Sequence, residues 1–376
     1  MAHIRKRGPS RHQVRFRGPD GLERSKTFRR QIDASRFKAT IEADMARGRW
    51  VSPERARRTL EHYAEIWLST LYCKPKTRES YESLLSKWIL PTLGARPVEA
   101  ISWSTVEAFK SEMLAAGRSP KTVTNALNVL RPILTAAVRD GALHSNPARE
   151  VRSPRSARIR EARFETADTL SALARTMDES DGLLVVFAAV TGLRAGECGG
   201  LMVGDLDLVR GRLTVRRSVS EAHGRAEYVT PKNGKPRAVS TPEVLCAKLA
   251  DHLDHRGVAS DPKAPVFCSP EGEILRHSNF YRRSFKPAVE AFGLHGFRFH
   301  DLRHSCAAML IRQGAHPRVI MERLGHSSIQ VTMDTYGHLF PGLDDSITAG
   351  LQEQFQDAFS VDPRPVRGLT ALPHPA

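Results

Sequence analysis

Paired cysteines are missing from this 376-residue chain. Its five cysteines, Cys73, Cys198, Cys246, Cys268 and Cys306, are odd in number, scattered and never spaced as CxxC. That argues against a disulfide scaffold or a zinc ribbon and fits a reducing cytoplasm. Long apolar runs are missing too. No stretch reaches the roughly 18 apolar residues of a membrane span, and the Arg-rich segment 1–17 has no apolar core of a secretion signal. The sequence holds no P-loop, no HExxH and no pair of carboxylates on one helix face. Metal-dependent phosphoryl transfer normally needs a carboxylate cluster to hold Mg²⁺, and none is evident. The spacing of His300, His304 and Cys306 matches no zinc pattern. No metal and no cofactor is therefore expected. If phosphodiesters are cleaved here, cationic side chains must supply the electrostatics.

Acidic residues are outnumbered by basic ones. The chain carries 57 Lys and Arg against 41 Asp and Glu, a formal charge of +16. Residues 1–55 hold 15 basic and 6 acidic side chains, residues 56–160 hold 17 and 9, and residues 161–340 hold 23 and 21. The excess thus lies in the first 160 residues. Such an excess favours a polyanionic partner, because neutralising a phosphate backbone releases its counterions. The near-neutral second half is left to do something other than grip a backbone.

The pattern along the chain predicts a multidomain protein. Short strands are expected at 3–7, 12–17 and 23–29, with a Gly18-Pro19-Asp20-Gly21 turn between the last two. Asp33 is placed to cap a helix through Ala34, Phe37, Ile41 and Met45. This gives a small β-sheet-plus-helix module over residues 1–55. Residues 56–145 read as an all-α, four-helix domain. Its stripes are Tyr63, Ile66 and Trp67, then Tyr81, Leu84, Leu85 and Trp88; Ser104 to Glu107 resembles a capping box, and Ser119-Pro120 opens a helix that Pro132 should kink. A basic linker at 146–164 holds five arginines between Arg149 and Arg160. The domain at 165–342 reads as mixed, mainly α. An apolar helix over Leu183–Val190 ends at Thr191-Gly192, strands follow at 212–218, 225–230 and 236–240, and helices at 242–255, 278–292, 300–313 and 317–324. The last two strands are expected to form a small antiparallel sheet across Pro231-Lys232-Asn233-Gly234-Lys235. Residues 343–376 comprise an amphipathic helix (Ile347, Leu351, Phe355) and a Pro-rich tail expected to be disordered.

Four segments could together do phosphate chemistry. Thr191-Gly192-Leu193-Arg194-Ala195-Gly196-Glu197 puts an arginine in a Gly-flanked turn after a buried helix. In His300-Asp301-Leu302-Arg303-His304, His300 and Arg303 share a helix face at i and i+3. Leu324-Gly325-His326 presents another histidine at a helix end, and Tyr336 follows ten residues later. Two arginines can clamp the non-bridging oxygens of a phosphate and stabilise charge building in a pentacoordinate transition state. A tyrosine with a pKa near 10 becomes a nucleophile only where a base or cations help it lose its proton.

In combination and order, these motifs resemble the tyrosine recombinases, the phage-integrase family, over about residues 60 to 355. The N-terminal module further resembles the arm-type DNA-binding domain of phage and mobile-element integrases. The resemblance implies a site-specific recombinase that cleaves and rejoins DNA through a 3′-phosphotyrosine, integrating or excising an element. It implies that Arg194 and Arg303 bind the scissile phosphate, Tyr336 attacks it, and Lys232 protonates the leaving 5′-oxygen, with Lys235 as the other candidate. His300 would act as acid and base on the tyrosine side, His326 would hydrogen-bond the phosphate, and Glu197 would orient Arg194. His304 receives no role. The implied partners are double-stranded DNA at attachment sites, further copies in a homotetramer, and an accessory DNA-bending or directionality protein; no membrane is implied. The expected location is the cytoplasm, at the nucleoid. The linker would cross the DNA and close a clamp, and the helix near 344–356 would pack on a neighbouring subunit or cap its own domain. Two other readings stay open: a type IB topoisomerase-like enzyme, and a non-enzymatic DNA-binding regulator with the same fold. A metal-dependent nuclease is a third, which cleavage in EDTA would exclude.

Overall fold

The computed structural model describes residues 2–155, 163–231, 234–340 and 343–355. The chain divides into two compact units, Met1–Arg160 and Glu161–Ala376.

The first unit opens with an antiparallel sheet in the order β1 (His3–Gly8), β2 (Arg11–Arg17), β3 (Glu23–Phe28), followed by α1 (Gln31–Ala46). Strand alternation sorts β2 into two faces: Val14 and Phe16 are buried, while Arg11 and Arg17 face solvent. Ala34, Phe37, Ile41 and Met45 of α1 cover the buried face, with Phe37 edge-on to Phe16 at 6.0 Å. Asp33 does not cap α1. Arg30 stands at the N-cap without a side-chain bond, and Asp33 sits in the first turn, where its charge still favours the helix dipole.

A short α2 (Pro53–Ala56) leads into α3 (Leu60–Thr70), α4 (Pro75–Leu84), a π-helical continuation over Leu85–Gly94, α5 (Trp103–Ala115) and α6 (Pro120–Arg139). Counting α4 with its continuation, four helices surround one core. Tyr63, Leu85, Ile89, Phe109, Leu127, Leu130 and Leu134 fill it, and Trp67 packs on Tyr81 at 5.4 Å. Ile66, read as part of the Tyr63 stripe, is 39% exposed. The capping box of α5 lies two residues earlier than the sequence suggests, formed by Ser102 and Thr105. Ser119 caps α6 with Pro120 in its first turn, and α6 runs unbroken through Pro132. The guanidinium of Arg24 ties module and helices together. It pairs with Asp20 at 2.7 Å and Glu54 at 2.8 Å and lies 4.9 Å from the Trp50 ring centroid.

The second unit begins with α7 (Ala167–Arg175), α8 (Glu179–Thr191) and α9 (Ala195–Gly199). Strands β4 (Leu206–Asp207), β5 (Arg212–Val215), β6 (Ser218–Ala222), β7 (Arg225–Val229) and β8 (Arg237–Ser240) follow. The sheet arrangement departs from the sequence reading. The segment expected as one strand at 212–218 breaks after Val215, and β6 turns back to pair with β7. β8 pairs instead with β5, in a sheet of order β4-β5-β8. The segment between β7 and β8 therefore connects two sheets rather than the two strands of one hairpin. The β5–β8 pairing carries Leu213, Val215 and Val239 together into the main core.

The remaining helices are α10 (Glu243–His255), α11 (His277–Phe280), which passes through a π-helical segment into α12 (Lys286–Ala291), α13 (Phe299–Arg312), α14 (Pro317–Leu324), α15 (Ile329–Tyr336) and α16 (Leu343–Phe355). α8 and α13 pass through the centre: Leu184, Phe187 and Ala188 of α8 and Leu302 of α13 are fully enclosed. A smaller cluster of Cys306, Ile311, Ile320, Leu324 and Tyr336 joins α13 to α14 and α15. The fold is thus multidomain and mostly helical with small antiparallel sheets, as the sequence predicts. Residues 361–376, read as a disordered tail, lie outside the described residues.

Candidate active site

The site lies where α8, α9, α13, α14 and α15 meet. α8 stops at Gly192, whose φ of +69° suits glycine and reverses the chain into α9. A Cβ at Gly192 would stand 2.4 Å from Leu324 and 3.1 Å from Cys306, so only glycine fits between α13 and α14 there. This turn aims two groups. Its carbonyl accepts a 2.7 Å hydrogen bond from Arg303 Nη1, and Arg194 follows at the N-cap of α9.

Arg303 is 2% exposed, and its Nη2 has no hydrogen-bond partner among the described residues. An unpaired buried donor on a cation is costly, so the position is shaped for an acceptor. Burial, and next Arg194, push its guanidinium down to about 10, which leaves it charged at neutral pH. Arg194 is more open. Its Nη1 donates to Glu197 Oε1 at 3.0 Å and its Nη2 to the carbonyl of Gly325 at 3.2 Å. Glu197, 2% exposed, also accepts from the Arg194 backbone and from Arg237.

α13 carries His300, Arg303 and His304 within two turns, and Asp301 pairs with Arg298 to close its N-terminus. α14 ends at Gly325 in the left-handed conformation, which turns His326 back toward the arginines. His326 Nδ1 lies 2.8 Å from Thr332 Oγ1, and its ring stacks on Tyr336 at 6.4 Å. Loss of hydration, then repulsion from Arg303 and Arg194, pushes His326 down to about 4. Tyr336 closes α15 and is 1% exposed; burial pushes its hydroxyl up to about 12, against the pull of Arg303 and Arg194.

The tyrosine's hydrogen-bond partner is the histidine that received no role in the sequence. His304 Nδ1 lies 2.8 Å from Tyr336 Oη. Desolvation lowers the His304 pKa, so the ring is neutral at pH 7; in its Nε2–H tautomer Nδ1 accepts the tyrosine proton. His300 packs edge-on to His304 with centroids 5.0 Å apart. Its i, i+4 spacing from His304 was legible in the sequence, but which of the two meets the tyrosine depends on the approach of α15.

Five of the six site residues singled out in the sequence, Arg194, His300, Arg303, His326 and Tyr336, converge here. The sixth, Lys232, lies outside the described residues. Lys235 lines a cleft of about 510 Å³ together with Arg194, Glu197, Arg237 and His326. Arg237 was missed: nothing in its sequence neighbourhood marks it, and only the β5–β8 pairing brings it to Glu197. Among the described residues, no group of three His, Cys, Asp or Glu side chains is arranged to hold a metal ion. No described helix is long and apolar enough to cross a membrane.

The phage integrase family model matches residues 163–342, and the model of the phage integrase N-terminal SAM-like domain matches residues 59–114. A prophage phiRv2 integrase of Mycobacterium tuberculosis is 31% identical over 363 residues, covering 94% of this chain and 95% of the relative. Among solved structures, the Tn1549 transposon integrase in complex with a circular intermediate DNA superposes with a TM-score of 0.66 at 20% identity, over 79% of this chain and 99% of that one. A lambda integrase tetramer bound to a Holliday junction gives 0.54 at 23% identity, over 87% and 95%. These likenesses and the motifs agree: the chain belongs to the phage integrase family and is a site-specific tyrosine recombinase, an enzyme that breaks and rejoins DNA strands.

Proposed function

We propose that Arg194 and Arg303 hold the scissile phosphate of double-stranded DNA at an attachment site while Tyr336 attacks it. The observation that carries this reading is the buried Nη2 of Arg303, without a partner among the described residues, beside a tyrosine enclosed by two histidines. The Tyr336 oxygen forms a bond to phosphorus as the bond from phosphorus to the 5′-oxygen breaks. The tyrosine proton passes to His304 Nδ1, with His300 next to it. Lys232 gives a proton to the leaving 5′-oxygen, or Lys235 does so from the cleft it lines with Arg194. Charge gathered on the phosphate oxygens is met by both arginines and by His326. Because the phosphodiester is kept as 3′-phosphotyrosine, attack by another strand's 5′-hydroxyl reverses the step without ATP.

We further propose the division 1–55, 56–145, 146–164, 165–342 and 343–376, with the first segment an arm-type DNA-binding module. The working form is a homotetramer on two duplexes, aided by an accessory DNA-bending or directionality protein, in the cytoplasm at the nucleoid. The solved lambda integrase tetramer on a Holliday junction supports the assembly. α16, with Leu351 and Phe355 about half exposed, docks on a neighbouring copy in that assembly. The test is covalent trapping in EDTA. On a nicked duplex carrying the element's flanking DNA, wild-type protein is expected to give a denaturation-resistant protein–DNA band and Tyr336→Phe none. Tight binding by wild type with no band would favour a DNA-binding regulator.

A further inference from the structure

Arg237, on β8, belongs to none of the sequence motifs, yet it touches three parts of the site. We infer that Arg237 is a positioning residue for the reaction: it takes up the charge of Glu197 so that Arg194 keeps its own for the scissile phosphate. The inference rests on the assignment of Arg194 to that phosphate.

The argument is one of charge and geometry. Glu197 Oε1 accepts from Arg194 Nη1 and from Arg237 Nη1, each at 3.0 Å. Glu197 Oε2 accepts from Arg237 Nη2 at 2.6 Å and from the Arg194 backbone at 2.9 Å. A carboxylate facing a single guanidinium makes a neutral pair, which has little attraction for a phosphodiester. Two guanidiniums around one carboxylate leave a net positive charge. The side chain of Arg237 is 14% exposed and that of Arg194 is 29% exposed, so the cation left facing outward is Arg194. The shorter hydrogen bond is also the one from Arg237, which makes Arg237 the principal partner of the carboxylate.

The same side chain steadies the turn that carries His326. Arg237 Nε donates to the carbonyl of Arg323 at 3.1 Å, and Arg194 Nη2 donates to that of Gly325. A Cβ at Gly325 would lie 3.0 Å from three atoms of the Arg237 guanidinium, so glycine there lets the guanidinium lie flat against the turn. β8, the start of α9 and the end of α14 are thereby held in one register.

A substrate with a neutral phosphate separates this role from a merely structural one. Replacing a non-bridging oxygen of the scissile phosphate by methyl removes its negative charge, and with it the need for a well-aimed guanidinium. Adduct formation is measured in EDTA on a nicked duplex whose cleavage site is selected from random-sequence DNA with wild-type protein, as phosphodiester and as methylphosphonate. Arg237→Gln is expected to slow the phosphodiester reaction by about 10- to 100-fold and the methylphosphonate reaction by no more than about threefold. Arg194→Ala should show the same pattern, and Arg237→Lys should fall between wild type and Arg237→Gln. The ratio of the two rates does not depend on how much protein is folded. If Arg237→Gln fails to fold, Arg237→Lys carries the test in the same ratio. Equal slowing on both substrates, or no slowing on either, would overturn the inference. Wild-type protein giving no Tyr336-dependent adduct would instead overturn the reading of the site.

Discussion

At the scale of single residues, the motifs identified which side chains meet but not who bonds whom. Arg194, Arg303 and Tyr336 were legible because their chemistry is uncommon in combination. The pairing of His304 with Tyr336 was not, since His300 and His304 share a helix face and sequence alone does not say which one α15 meets. Burial gives these groups measurable consequences. Histidine in an unfolded chain has a pKa near 6.5, whereas burial and the neighbouring Arg303 and Arg194 push that of folded His326 down to about 4. Its neutral form therefore contributes stability in full above about pH 6.5, and the contribution is lost as pH falls from there toward about 4. The Tm of the wild type should drop over that window. The Tm of His326→Asn, which has no titrating group there, should drop less; parallel curves would show that His326 is not held neutral by the fold.

At the scale of elements, positions were read more accurately than pairing: the strands expected at 3–7, 12–17 and 23–29 lie within a residue of β1, β2 and β3, whereas the partner of β8 was not foreseen and α7 was not read. Helix ends carried local signals: Ser119-Pro120 opens α6, and Gly192 closes α8. The strand pairing carried none. Whether β8 joins β7 or β5 depends on packing against distant elements, as the burial of Val239 beside Leu213 and Val215 illustrates, a tertiary matter invisible in a window of a few residues. Arg237 was missed for the same reason, because its position follows from that pairing. The junction of α8 and α9 is the element on which the site depends most closely. Gly192→Ala would need a left-handed backbone that costs an alanine about 1–2 kcal/mol, and would press a methyl group into Leu324. Chemical denaturation is expected to show a loss of at least about that size, and adduct formation should fall further because the carbonyl that fixes Arg303 moves with the turn. Unchanged stability and activity would mean that the turn is not the constraint inferred here.

At the scale of the whole molecule, charge and chemistry are divided along the chain: a basic first unit and a nearly neutral unit that holds the tyrosine. The alternation of β2 leaves Arg11, Arg15 and Arg17 off its buried face, with Arg5 of β1 paired opposite Gln13. If the first module grips DNA as proposed, replacing Arg5, Arg11, Arg15 and Arg17 by Gln should weaken DNA binding and flatten its salt dependence. The slope of log K against log salt should fall by about 0.9 for each phosphate that the protein no longer neutralises. An unchanged slope would place the DNA-binding surface elsewhere in the chain. The central claim concerns the other unit, and peptide mapping of the trapped adduct tests it most directly. Digestion of the wild-type complex should yield a DNA-linked peptide containing Tyr336, joined to a 3′-phosphate, with a free 5′-hydroxyl on the released strand. Linkage through another residue, a 5′-phosphate link, or cleavage with no protein attached would contradict it.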